Sequence, residues 1–250
     1  MTIKVNKVEA QRGVYWITKG WGLFKQQSGL WMQTMVFIVG LGIGAQLLGQ
    51  ASVVTIILYA FAHPFLMAGY YHMAFQAKNG VDSKFTDVFI AFKDLRIRRV
   101  MFQLASISLL VTLTVSALGA DNVEALKEGQ ALDAGPAFLY AIISLIYLMF
   151  FFFTVPIVYF FHEQNLLRIL KLSFTACWRN IAPLAVFALM ALGLCLMTMP
   201  TLLLGLFIVL PWLSIAFYLS FDDVFGDDLP ADFEQVDGQD NRKDDVTFIV

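Results

Sequence analysis

Six long apolar stretches separated by short polar connections run from about Leu30 to Phe221. Each is close to the roughly 20 apolar residues that a helix needs to cross about 30 Å of hydrocarbon. The pattern predicts spans at 30–50, 52–75, 100–119, 137–161, 181–199 and 201–221. The expected fold class is therefore an all-α membrane protein with six transmembrane helices. Residues 1–226 make up the membrane domain and 227–250 an acidic tail.

A second, shorter pattern precedes each pair of spans. Val14, Ile17, Trp21 and Phe24 recur at helical spacing before span 1. Phe85, Val88, Phe89, Phe92 and Leu95 do so before span 3, and Leu166, Leu170, Phe174 and Cys177 before span 5. Apolar residues at i, i+3, i+4 and i+7 mark one helical face, and Lys or Arg on the other face suits a helix lying in the headgroup region. These interfacial helices are expected near 13–25, 83–95 and 166–178. The second span of each pair carries a proline, at Pro64, Pro156 and Pro211, and an aromatic cluster follows each. The expectation is three repeated helical hairpins, each preceded by an interfacial amphipathic helix.

Charge orients the chain. The 2–3 connection holds Lys78, Lys84, Lys93, Arg96, Arg98 and Arg99, and the 4–5 connection holds Arg168, Lys171 and Arg179. The 3–4 connection holds Asp121, Glu124, Glu128 and Asp133 against Lys127. Lys and Arg are retained on the cytoplasmic side, so both termini are expected in the cytoplasm. No cleavable signal peptide is visible, and the first span is expected to act as the insertion signal. Hydrophobic residues make up 59% of the chain, and the mean hydropathy of +0.71 excludes a water-soluble surface. From Asp222 to Asp245 ten acids stand against Arg242 and Lys243, a composition expected to be solvated. Cys177 and Cys195 give no disulfide framework.

Several blocks carry a resemblance. They are Gly13-Val14-Tyr15-Trp16, Gly20-Trp21-Gly22-Leu23-Phe24 and Trp31. They continue with Pro64-Phe65-Leu66-Met67-Ala68-Gly69, Asn79-Gly80, Phe85 to Phe92, and Tyr218 to Phe225. Together they resemble an uncharacterised family of bacterial multi-pass inner-membrane proteins. The resemblance implies a bacterial cytoplasmic membrane and six helices, and it implies no activity. The tail beyond Gly226 lies outside it.

Within these blocks, Trp21, Phe24, Asp87, Arg98, Arg99, Arg179 and Asp222 are candidate interface residues. Rings such as Trp16, Trp21 and Trp31 favour headgroup depth. Asp87 and Asp222 or Asp223 are placed to pair with Arg96, Arg98, Arg99 or Arg179. Such a face suits anionic lipid headgroups.

Motifs for chemistry are sparse. His63, His72 and His162 have no second ligand at metal spacing, and no serine lies beside a His and a carboxylate. Gly40-Leu41-Gly42-Ile43-Gly44 lies inside span 1, without the strand-turn-helix setting of a nucleotide loop. Gly40 and Gly44 there suit a close helix crossing. His63 and Pro64 are the candidate intramembrane polar site. A histidine at mid-span is a functional candidate, yet no Asp or Glu falls inside any predicted span to couple ions with it. Its expected role is a neutral interhelical hydrogen bond worth about 1–2 kcal/mol, with substrate contact as the alternative. Ser108 and Thr112 share a face, suited to interhelical hydrogen bonding or to lining a cavity.

No cofactor, metal or nucleic-acid partner is expected, and an enzyme is the least favoured class. The leading expectation is a non-enzymatic interaction, accessory or assembly protein, with membrane lipids and a membrane-protein partner. The alternative is a small transporter or lipid-handling protein. A polar, lipid-sized cavity containing His63 would favour the alternative.

Overall fold

The computed structural model describes residues 3–49, 52–120, 127–128 and 134–226. The tail 227–250 and most of the acidic 3–4 connection lie outside the described residues. Among these residues every regular element is helical. Six helices are long and apolar enough to cross a membrane: Ser28–Gly49, Val53–Lys78, Leu95–Ala117, Ala137–Phe161, Ile181–Thr201 and Leu206–Phe225. The chain is a multi-pass membrane protein by this measure.

The elements are α1 (Arg12–Gln26), α2 (Ser28–Gly49), α3 (Val53–Lys78), a 3-10 turn (Phe85–Phe89) leading into the single turn α4 (Ile90–Lys93), and α5 (Leu95–Leu118). They continue with α6 (Ala134–Phe151), α7 (Thr154–Phe161), α8 (Leu166–Arg179), α9 (Ile181–Leu196) and α10 (Leu206–Phe225). The three segments expected to be interfacial are thus separate helical pieces, of which the second is the shortest. Each is divided from the span that follows by one residue outside helical geometry: Gln27 (φ −138°, ψ 48°), Asp94 (φ −81°, ψ 104°) and Asn180 (φ −116°, ψ 30°). Of these three, Asp94 caps the helix that follows with its side chain, and Asn180 turns its side chain to other partners. Asp94 accepts the Arg96 N–H at 2.9 Å and so starts α5 before the apolar run begins.

The packing order is cyclic. α1 lies against α9 and α10, the 3-10 turn lies against α2 and α3, and α8 lies against α6 and α7. Each short piece thus rests on a hairpin other than the one it introduces.

Burial concentrates at the basic end of the bundle. The C-terminal halves of the three proline-bearing spans supply Tyr70, Met73, Phe153, Phe160, Tyr218, Phe221 and Phe225, all fully enclosed. Phe160 stacks on Phe221 at 5.5 Å, and Phe153 packs edge-on to Phe225 at 5.7 Å. Aromatic pairs in these geometries add to the area they bury. At the other end the helices spread, exposing Leu58, Leu110, Phe138, Leu189 and Leu202. Half of the last span is buried against 17% of the fifth, so α10 is central and α9 peripheral.

Close approach is made at glycines other than those expected. A Cβ on Gly69 would sit 2.1 Å from the Val88 carbonyl oxygen, so only glycine lets the 3-10 turn seat on α3. Gly40 and Gly44 meet nothing within 4 Å, and no helix crosses closely there. In α2 it is Gly42 and Gly49 that face neighbours, the Tyr59 ring at 2.9 Å and the Ile56 side chain at 2.5 Å.

Span 4 is broken. Phe152 and Phe153 leave helical geometry between α6 and α7. Ser173 of α8 bridges the break: its Oγ accepts the Phe153 N–H at 3.0 Å and donates to the Met149 carbonyl at 2.9 Å.

Candidate functional site

The basic end is held by charges and caps. Asp223 accepts from the Arg12 guanidinium and, at 2.7 Å, from the Trp16 indole N–H. The hydrogen bond that Arg12 donates to Asp223 raises the guanidinium pKa above its ordinary value. Asp222 pairs with Lys78 at 2.6 Å. Asp87 accepts the Lys84 N–H at 2.8 Å, and Arg98 donates to the Phe92 carbonyl at 3.0 Å. The carboxylates therefore meet Arg12 and Lys78, or a backbone N–H, and the expected pairs with Arg96, Arg98, Arg99 or Arg179 are not formed. Arg98, Arg99 and Arg179 are exposed.

Trp21 stacks on Phe24 and tilts against Trp212, while Trp16 and Trp31 are fully buried. These rings serve the core, because α1 is covered by α9 and α10. The exposed tryptophan is Trp178, on α8. His72 is buried against the Tyr159 hydroxyl at 3.1 Å.

His162 ends α7 in left-handed geometry, with its Nε2 2.9 Å from Asp94. Burial alone would push the Asp94 carboxyl up. Hydrogen bonds from Arg96 and His162 outweigh it and hold the carboxyl below its usual range. A group depressed in the folded state stabilises above its unfolded value, near 3.9. That contribution is lost as pH falls through the folded value. Thermal unfolding of the wild type and of Asp94→Asn should therefore differ at pH 7, and the gap should narrow as pH falls below about 4. A gap that stays constant from pH 7 to pH 3 would contradict this account of the cluster.

The most open chemistry lies deeper. A cavity of about 470 Å³ is walled by α3, α5 and the α6–α7 break, with Gln46 of α2 at its edge. Its apolar lining includes Ile56, Leu104, Leu109 and Val155. Its polar lining is Gln46, Tyr59, His63, Ser108, Thr112 and Thr154, with no carboxylate, lysine or arginine. Ser108 and Thr112 both bond the Tyr147 hydroxyl, at 2.8 and 3.1 Å, so this pair ties α5 to α6 and also lines the cavity. The Thr154 hydroxyl donates to the Phe151 carbonyl at 2.9 Å and the Tyr59 hydroxyl to the Ile38 carbonyl at 3.4 Å.

His63 is exposed to the cavity, with its ring beside Tyr59 at 5.5 Å. It makes none of the expected interhelical hydrogen bonds among the described residues. Pro64 has no N–H, so the carbonyl of Ala60, one turn earlier, loses its helical donor. Ala60 lines the same cavity. The wall thus combines an imidazole and an amide with hydrocarbon side chains, beside the turn that Pro64 interrupts.

Among the described residues no group of three or more His, Cys, Asp or Glu is placed to hold a metal ion. Two residues that organise the site carry no sequence signature, Ser173 at the break and Asn180 at the α8–α9 junction. Comparison of the chain with protein-family models, with characterised proteins and with solved structures gives no match.

Proposed function

We propose that this chain is a lipid-handling membrane protein that holds a membrane amphipath in the cavity beside His63. The observation that carries the reading is the composition of that wall. Ligand sites are concave and mostly apolar, about 300–1,000 Å³, with a few convergent polar groups. The cavity has that size and character. A head group there meets Gln46 and His63, which donate and accept hydrogen bonds. It meets no fixed charge, so a neutral polar head is favoured over a phosphate or an ammonium. The ligand's hydrocarbon part rests on Ile56, Leu104, Leu109 and Val155. His63 is a substrate-contacting residue in this reading, and replacing it should affect ligand retention more than folding.

The test is native mass spectrometry of the protein released from its own membranes. A bound small amphipath of defined mass supports the reading, and a chain that carries only detergent contradicts it.

The accessory or assembly role is the second reading. The outer halves of α9 and α10 favour it, because Leu189, Leu196 and Phe207 are exposed on helices that scarcely meet one another. A partner membrane protein would cover such a face.

The proposed setting is a bacterial inner membrane with both termini in the cytoplasm, on the Lys and Arg excess of the 2–3 and 4–5 connections. A reporter active only outside the cytoplasm should work when fused at Glu128 and stay silent at Lys84. Activity at Lys84 would reverse the orientation. We read the three helical hairpins as diverged repeats, and the cyclic seating of α1, the 3-10 turn and α8 supports that reading.

A further inference from the structure

A second concavity lies at the basic end, away from the intramembrane cavity. The extended segment Ile3–Asn6 and one side of α8 enclose a groove of about 570 Å³ containing Lys4, Arg168, Lys171 and Arg179. Arg168 also meets Glu163 at 2.8 Å. The groove is elongated, because Arg168 and Arg179 stand about 16 Å apart along the helix at 1.5 Å per residue. About five residues of extended chain at 3.3 Å each cover that length. A row of cations suits a row of anions better than a single compact one.

We propose that this groove binds the chain's own acidic segment, between Asp227 and Asp245. Three observations favour that occupant. The first is charge: of the ten acids after Phe221, Asp222 and Asp223 are already paired with Lys78 and Arg12, and the others follow Gly226. The second is proximity. The Asn6 N–H donates to the Val224 carbonyl at 2.9 Å, so one wall of the groove is bonded to the helix from which the acidic segment departs. The third is orientation. The exposed apolar Leu167 and Trp178 lie about 100° around α8 from Arg168 and Arg179, with Lys171 beside the apolar pair, so the two arginines are turned from the side that suits lipid.

Each contact between exposed charges is weak, and salt screens it. Tethering supplies an effective concentration in the millimolar range. The result is an intramolecular latch that opens as ionic strength rises. It does not depend on what the intramembrane cavity binds.

Cross-linking in the full chain tests it. Thr175→Cys on the groove floor is combined with Val236→Cys, in a background with Cys177→Ala and Cys195→Ala, and treated with a short bis-maleimide. The control pairs Val236→Cys with Arg98→Cys. The Thr175 pair should link within one chain several-fold more than the control. Its yield should fall to the control level at about 0.5 M salt, and also with Lys171→Glu and Arg179→Glu. Changing Asp232, Glu234, Asp237 and Asp240 to Asn leaves the groove intact and should cause the same fall. Equal yields for the two pairs, links only between chains, or indifference to these charge changes would overturn the proposal. So would a link seen in phosphatidylcholine nanodiscs but lost in phosphatidylglycerol ones, which would mark the groove as a headgroup site.

Discussion

Asn180→Ala is expected to lower the thermal unfolding midpoint in detergent by about 5–15 °C, corresponding to about 2–4 kcal/mol. Asn180 is fully buried where α8 turns into α9. Its Oδ1 accepts the Val8 N–H at 2.9 Å, and its Nδ2 donates to the Asn6 carbonyl at 2.9 Å and the Ala176 carbonyl at 3.0 Å. Alanine removes all three and leaves the backbone groups of Asn6 and Val8 without these partners. Unpaired buried polar groups cost about 1–3 kcal/mol each. The loss should propagate, because Asn6 is also bonded to Val224 and the segment ties α8 to α10. An exposed change such as Arg99→Ala should stay within about 0.5 kcal/mol. Equal midpoints for Asn180→Ala and the wild type would contradict the assignment.

Ser173→Ala is expected to act by the same physics at a different joint. Removing Oγ strands the Phe153 N–H and the Met149 carbonyl at the break in span 4, at a cost of about 2–3 kcal/mol. Because Phe151, Thr154 and Val155 line the cavity next to that break, the damage should be local first. Hydrogen exchange at the Phe153 amide should accelerate well before the bundle unfolds. Unchanged protection of that amide in Ser173→Ala would show that the hydroxyl does not hold the break.

The spans were legible because apolar length and composition are local properties of the chain. Their edges were less so. α5 starts at Leu95, before its apolar run, since Asp94 caps a helix whose first turn is basic. The break in span 4 left no mark within an unbroken apolar stretch, because the group that stabilises it is Ser173, in a later helix. The rings of Trp16 and Trp31, read as favouring headgroup depth, are enclosed by neighbouring helices. Periodicity identified the apolar face of α1, but the helices that cover it, α9 and α10, come from the far end of the chain. The same distance separates Arg12 from Asp223, so which basic residue meets which acid was not readable.

At the candidate site, His63 and Pro64 were legible as an unusual pair in mid-span, and Ser108 with Thr112 as a polar face. What a single helix could not show is that the two polar features bound one cavity. The hydrogen bond expected of His63 is absent because α5 and the α6–α7 break stand away from that face of α3. His63→Leu should accordingly fold like the wild type.

The most direct measurement of a ligand in this cavity is native mass spectrometry of the wild type beside Ala60→Phe, both released from the same membranes. Phenylalanine at position 60 projects into the space beside His63 and leaves the Ser173 and Asn180 joints untouched. The account predicts one amphipath of defined mass on the wild type. It predicts at least a tenfold lower bound fraction on Ala60→Phe, about 1.4 kcal/mol of affinity, at an unchanged unfolding midpoint. Equal occupancy in both proteins, or no adduct on either, would contradict it.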